Sequence, residues 1–371
     1  NGCIHDTTIT VIVRPNPTAN FSANTICEGD TTFFTDLSTI IPPLGGVITN
    51  WFWEFGDNNT STDQNPIHLY AQAGVYNVTL TVTDAFGCTH DTTITVTVEP
   101  GPIANFSATT ECEGDSTVFT DASSILPLGG VITNWEWDFG DGTGNSILQN
   151  PSYLYAQAGI YNVTLTVTDI NGCIGDTIII VTVDTLPIAN FSATEECEGD
   201  STLFTDLSIG TSGTIITWNW DFGDLNGSTQ QNPIHLYAQA GTYNVTLTVT
   251  DDNGCTHDTT ITVIVRPNPT ANFSANTICE GDTTFFTDLS TIMPPLGGVI
   301  TSWNWSMSLA DGNYILGTSS SSQNPIFIYH NDGTYSVTLT VTDAFGCTHD
   351  TTIIVTVEPG PIANFSATTE C

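Results

Sequence analysis

Along residues 76–84 apolar and polar side chains alternate: Tyr76, Val78, Leu80 and Val82 fall on one face, and Asn77, Thr79, Thr81 and Thr83 on the other. Residues 92–98 repeat the pattern, with Ile94, Val96 and Val98 set against Thr93, Thr95 and Thr97. A period of two is that of a strand with one buried face. Trp51, Trp53 and Phe55 also share a face, expected to point inward, which leaves Phe52 outward with Glu136, Asn219 and Asn304 at the matching positions. Gly and Pro punctuate the pattern at Pro42-Pro43, Gly45-Gly46, Gly56, Pro66 and Gly74. No segment sustains a helical period of 3.6, so the chain reads as all-β.

The pattern recurs. Ala-Asn-Phe-Ser places its Asn at Asn20, Asn105, Asn190, Asn272 and Asn364. Between copies come Cys-Glu-Gly-Asp (from Cys27, Cys112, Cys197 and Cys279), a Trp-x-Trp, a Gln-Asn-Pro, a Gly-x-Tyr strand and a Gly-Cys before a Thr-rich strand. The Trp-x-Trp pairs end on Trp53, Trp137, Trp220 and Trp305, the expected core residues. A longer period overlies this one. Residues 1–53 and 253–305 differ only at Ile4, Ile41, Asn50 and Phe52, and residues 85–112 and 344–371 only at Thr95 against Ile354. Three modules thus form a unit copied almost unchanged, which suits a protein whose length or periodicity matters. About seven short strands per repeat, with an inward Trp, predict immunoglobulin-like sandwiches.

Trp53-Glu54-Phe55-Gly56-Asp57, Trp137-Asp138-Phe139-Gly140-Asp141-Gly142 and Trp220-Asp221-Phe222-Gly223-Asp224 resemble the signature of PKD (polycystic kidney disease) domains, as do the downstream Asn-Pro-x-His-x-Tyr and Gly-x-Tyr-x-Val-x-Leu-x-Val runs. The resemblance covers essentially the whole chain. It implies extracellular spacers, cell-surface adhesins or accessory modules of secreted hydrolases. The fourth module departs from it, with Ser306-Met307-Ser308-Leu309-Ala310-Asp311-Gly312 after Trp305 and a seven-residue expansion before Pro325. That puts the usual turn in doubt there, and not the sandwich.

The modules are placed at residues 16–100, 101–185, 186–267 and 268–359, with residues 1–15 the last strand of a preceding module and 360–371 the opening of a following one. The segment therefore looks like a slice of a longer polypeptide. Each linker contains Pro (Pro15 and Pro17, Pro100 and Pro102, Pro187, Pro267 and Pro269, Pro359 and Pro361), which restricts bending, so an extended, semi-rigid rod is the expected shape.

Charge narrows the function. The chain has 39 acidic residues and two basic ones, for a net charge of −37. Arg14 and Arg266 are the only cations, so binding to nucleic-acid phosphate or to anionic lipid is not expected. No run approaches the length of a membrane span, and no signal peptide is present. The aromatic and β-branched content argues for a folded, self-repelling surface and against disorder.

Ten cysteines lie at 3, 27, 88, 112, 173, 197, 255, 279, 347 and 371, alternating between the turn before the second strand and the turn before the last. No Cys-x-x-Cys suggests zinc. The number and the context point to disulfides and an oxidising compartment, with unbonded buried thiols as the other reading. In an immunoglobulin-like module the first turn faces the next module and the late turn lies at the opposite end. A strand of six to eight residues, about 20–26 Å, separates them, whereas bonded Cα atoms lie within about 7 Å. The first-turn Cys of one module is therefore expected to bond the late Cys of the next: Cys27–Cys173, Cys112–Cys255 and Cys197–Cys347. Cys3, Cys88, Cys279 and Cys371 would then pair with modules outside the segment. Pairing within a module, Cys27 with Cys88, remains the alternative should the first strand kink or switch sheet. Lys-Asn isopeptide cross-links are excluded for want of Lys.

Other motifs carry less. The Gly-Asp and Cys-Glu-Gly-Asp turns could offer oxygen to Ca²⁺, but no EF-hand loop exists and turn capping explains them. Beyond that, no cofactor is expected. Cys-x-His-Asp resembles nucleophile chemistry, yet Cys173-Ile174-Gly175-Asp176 lacks the His, and no hydrolase or phosphate-loop motif appears, so catalysis is not expected. Outward Thr rows fit strand surfaces. Glycans on Thr or on Asn20, Asn77, Asn105 and Asn162, and lateral packing into filaments or bundles, stay open. The sequence reads first as a structural stalk or filament segment, extracellular or on the cell surface. The alternatives are an adhesin array for glycans or partner proteins and an accessory spacer of a secreted hydrolase.

Overall fold

The computed structural model describes residues 2–24, 26–42, 46–126, 130–276, 278–307 and 311–367, with Ile26 described by its backbone alone. Cys371, the Ser308-Leu309-Ala310 step of the fourth module, and Pro43 and Gly45 lie outside the described residues. Among the described residues all the regular structure is strand.

Module 1 is built from β1 (Phe21–Ala23), β2 (Ile26–Cys27), β3 (Thr31–Asp36), β4 (Ile48–Glu54), β5 (Thr60–Ser61), β6 (Ile67–Leu69), β7 (Gly74–Asp84) and β8 (Thr89–Glu99). A three-stranded sheet, β1-β3-β6, faces a five-stranded one, β2-β8-β7-β4-β5. Alternation dictates the core. Val78, Leu80 and Val82 of β7 are fully buried, Phe34 of β3 and Trp53 of β4 meet them, and Phe21 packs edge-on against the Trp53 ring at 5.0 Å. The buried indole donates from Nε1 to the Asp63 carbonyl at 2.9 Å, and the buried Tyr70 hydroxyl to the Phe55 carbonyl at 3.0 Å. Both polar tips are therefore satisfied inside an apolar layer.

Modules 2 and 3, spanning the strands from Phe106 to Asp184 and from Phe191 to Arg266, repeat both sheet orders. Trp137 and Trp220 occupy the place of Trp53. Modules 1 and 2 fall in one compact unit, Asn1–Thr185, and modules 3 and 4 in a second, Leu186–Cys371.

Module 4 differs where the sequence does. Its extra residues form a strand, Gly312–Tyr314, that pairs with Ile326–Tyr329 and extends the sheet opposite the one β5 joins in module 1. Met307 and Tyr314 pack against the Trp305 core, with Met307 at the position of Phe55.

Residues 2–15 and 360–367 carry no strand in this structure. Two expectations need correction. Trp51 is only half-buried, since a register shift between Ile48 and Asn50 turns this end of β4 to the rim of the sandwich. Ile94 stays exposed while Val96 and Val98 are buried, because β8 runs eleven residues and its first half extends past the core cluster.

Candidate functional site

The residues with chemistry to offer gather at the two ends of each module. At one end sits the first turn. After β1 the chain leaves the three-stranded sheet, and β2 joins the other sheet parallel to the end of β8, with Cys27 in register with Glu99. The Cys27-Glu28-Gly29-Asp30 turn is closed by Asp30 N donating to Cys27 O at 3.0 Å and anchored by Glu28 N donating to Glu99 O at 2.8 Å. Gly29 has φ of +85°, a conformation that costs glycine alone nothing, which accounts for the repeated Cys-Glu-Gly-Asp.

At the opposite end the late turn is built on a buried carboxylate. Asp84 Oδ1 accepts from the amides of Phe86 and Cys88, both at 2.9 Å. Asp169, Asp251 and Asp343 hold Cys173, Cys255 and Cys347 by the same bond at 2.8–2.9 Å. The same bond holds the unbonded Cys88 and the disulfide-bonded Cys173 and Cys347, so the turn does not depend on the disulfide.

The first strand does switch sheet, the circumstance expected to favour pairing within a module. It does so at the far end. Cys27 lies beside Glu99 and Cys88 beside Thr89, so the eleven residues of β8 separate them by about 36 Å. The structure joins Cys27 to Cys173 with Cα atoms 5.4 Å apart, and Cys197 to Cys347 at 5.6 Å. Both separations are ordinary for disulfides. Cys112, in register with Asp184, and the buried Cys255 occupy the equivalent turns of modules 2 and 3, and neither is a free thiol. Cys3, Cys88 and Cys279 are unbonded.

Sequence reasoning missed the role of the arginines. Arg266 closes the last strand of module 3 and lies 3.4 Å over the Phe345 ring of module 4. It donates to the Leu296 carbonyl at 3.2 Å and to Glu195 Oε2 at 2.6 Å. Asn268 adds a bond from Nδ2 to the Glu198 carbonyl at 2.8 Å. Arg14 stacks on Phe86 in the same way, at 3.7 Å. The signal was present in the sequence: both cations stand immediately before a linker Pro, each followed one module later by Asp-Ala-Phe-Gly-Cys.

His68, His90, His257 and His349 serve structure. His90, His257 and His349 accept at Nδ1 from the amides of Ala19, Ala189 and Ala271, at 3.1–3.2 Å, and so hold each incoming linker on the last strand. In module 2 Gly175 replaces this His, and a Cβ there would collide with the Pro102 carbonyl. His68 stacks on Phe55 at 4.2 Å and donates from Nε2 to Asp57 Oδ2 at 2.7 Å. Burial works against the Asp57 carboxylate, but bonds from Asn59 and His68 outweigh it and hold the pKa below the ordinary value. In module 2 the Tyr153 hydroxyl, with the Gly144 and Thr143 amides, brings Asp141 down to about 2. These Gly-Asp carboxylates are engaged in capping their own turns. Among the described residues no three His, Cys, Asp or Glu side chains converge as a metal site would require.

Paired, mainly antiparallel sheets around a buried Trp, repeated four times with fixed end turns, define an array of immunoglobulin-like modules. The chain belongs to the PKD domain family, whose sequence profile matches residues 14–99, 99–183, 184–265 and 266–358. The pre-pro-metalloprotease PrtV of Vibrio cholerae is 40% identical over 104 residues, covering 28% of this chain and 11% of that protein. Collagenase ColQ1 of Bacillus cereus is 44% identical over 58 residues, 16% of this chain and 6% of that protein. The crystal structure of the PKD1 domain from the Vibrio cholerae metalloprotease PrtV is 38% identical, covers 22% of this chain and 96% of its own, and has a TM-score of 0.21. The chain thus spans about a tenth or less of the length of these curated relatives. Among the described residues no helix is long and apolar enough to cross a membrane.

Proposed function

We propose that the chain is a structural repeat segment of an extracellular stalk or filament, in which disulfides staple successive modules and the acidic surface keeps the array solvated. The observation that carries this reading is the position of the staples. Cys27–Cys173 and Cys197–Cys347 each tie the leading end of one module to the trailing end of the next, in parallel with the Pro-containing linker. Two attachments at one junction suppress the hinge motion that a single linker permits. Near-identical copies at a three-module period support the same reading, since identity is useful where length and repetition are the product. Solution scattering before and after reduction tests the proposal. An elongated particle that becomes flexible on reduction is expected, and a particle that is compact, or equally flexible before and after, contradicts it.

The likeness to PrtV and to collagenases favours a second reading, an accessory spacer within a larger secreted hydrolase. The full-length polypeptide separates the two: a protease domain in the same chain supports the spacer.

A further inference from the structure

Four isoleucines, Ile160, Ile174, Ile178 and Ile180, stand on the outer face of the five-stranded sheet of module 2 and are 73%, 63%, 61% and 66% exposed. The strand register places Thr242, Thr256, Thr260 and Thr262 at the same four positions of module 3. Thr serves the hairpin there, so the fold does not require isoleucine. A face that is lined by hydroxyls in module 3 is apolar in module 2. Its apolar side chains are also organised around charge. Asp176, Thr166 and Glu136 form one row across three strands, and Ile178, Thr164 and Asp138 the next. Glu136 and Asp138 line a groove of about 430 Å³ that runs to Ile147 at the sheet edge, itself 80% exposed.

Charge decides what covers this face. The carboxylates have no cation of their own chain to meet: there is no Lys, and Arg14 and Arg266 lie over Phe86 and Phe345. A second copy brings a further −37 and no free Lys, and anionic lipid or nucleic acid is repelled likewise. A partner that satisfies the face must supply cations for Asp138, Glu136 and Asp176 and apolar groups for the isoleucines. We propose that the outer sheet face of module 2 docks an extended cationic segment of a different protein, with Lys or Arg over the acidic rows and apolar side chains on Ile178 and Ile180. Nothing in this depends on the stalk reading. A rod and a spacer would both present the face.

The test uses the intact, oxidised chain and three fluorescent peptides: a nonapeptide of Lys, Val and Thr with Lys and Val on one strand face, the same peptide with Glu for Lys, and the same with Thr for Val. The Lys/Val peptide is expected to bind, more weakly as salt is raised, and to lose about tenfold in affinity in the Ile178→Thr/Ile180→Thr variant. Unchanged near-ultraviolet dichroism confirms that the variant is folded, as Thr260 and Thr262 of module 3 lead one to expect. The proposal is overturned if the variant binds the Lys/Val peptide as well as the parent does, which would mean diffuse attraction to an acidic surface. It is overturned equally if the Thr-for-Val or Glu-for-Lys peptide binds as tightly, or if none of the three binds.

Discussion

Trp51 donates its indole N–H to Asp36 Oδ2 at 2.7 Å, and the pair recurs as Trp135 with Asp121 at 2.8 Å, Trp218 with Asp206 at 2.7 Å and Trp303 with Asp288 at 2.7 Å. The aspartate ends one strand and the tryptophan lies in another, so the bond ties the two sheets at the module rim. Gln64 donates to the same oxygen of Asp36 at 3.1 Å, while Ser38 N donates to Oδ1 at 3.0 Å. Replacing Asp206 by Ala leaves the Trp218 indole unpaired and is expected to cost module 3 about 1–3 kcal/mol. Asp206→Asn should cost less, since an amide oxygen still accepts. Trp220→Ala, which empties the core, should cost about 3–5 kcal/mol. Urea unfolding followed by tryptophan fluorescence ranks the three.

These aspartates also set the acid limit. Burial alone would raise the carboxyls of Asp36, Asp121, Asp206 and Asp288, but the bonds they accept from Ser, Gln and Trp neighbours bring them below the ordinary value. Asp141 reaches about 2. A depressed folded pKa contributes stability that is complete above the unfolded value and is lost as pH falls through the folded one. Thermal melts should therefore fall between about pH 4 and pH 2. Asp206→Asn should remove part of that fall, because Asn cannot titrate. An identical acid slope in the variant would contradict the assignment.

The periodic features were legible in the sequence because they follow from geometry of period two. Val78, Leu80, Val82 and Trp53 are buried as their alternation requires. What the pattern could not show was the depth of each position. Trp51 and Ile94 obey the alternation, yet they lie half-buried and exposed, because a register shift in one case and an uneven overlap of the sheets in the other decide how far the core reaches. The Asp36–Trp51 bond was hidden for a different reason. The offset from Asp to Trp varies from module to module, and only the fold brings the two together. The expansion of module 4 was visible as length, but its use as the strand Gly312–Tyr314 on the other sheet was not.

Arg266 and Phe345 should behave as a coupled pair. Each single replacement by Ala weakens the docking of modules 3 and 4, and the double replacement should cost less than the sum. A coupling of about 0.5–2 kcal/mol is expected for a partly desolvated cation over a ring. Chemical unfolding of the four proteins in reductant, which removes the staple, measures it, and additive losses would contradict the stacking.

Trypsin should not cut this chain, even in urea. It contains no Lys, and both arginines precede proline, in Arg14-Pro15 and Arg266-Pro267, where the ring prevents the bond from seating in the protease. A single band on a denaturing gel after prolonged digestion is the expected result, and discrete fragments would contradict it.

The stapled array is tested most directly by chymotryptic mapping of the protein without reduction, read by mass spectrometry. One linked peptide pair should contain Cys27 and Cys173, and another Cys197 and Cys347. A linked pair containing Cys27 and Cys88 would place the bond inside a module and contradict the account.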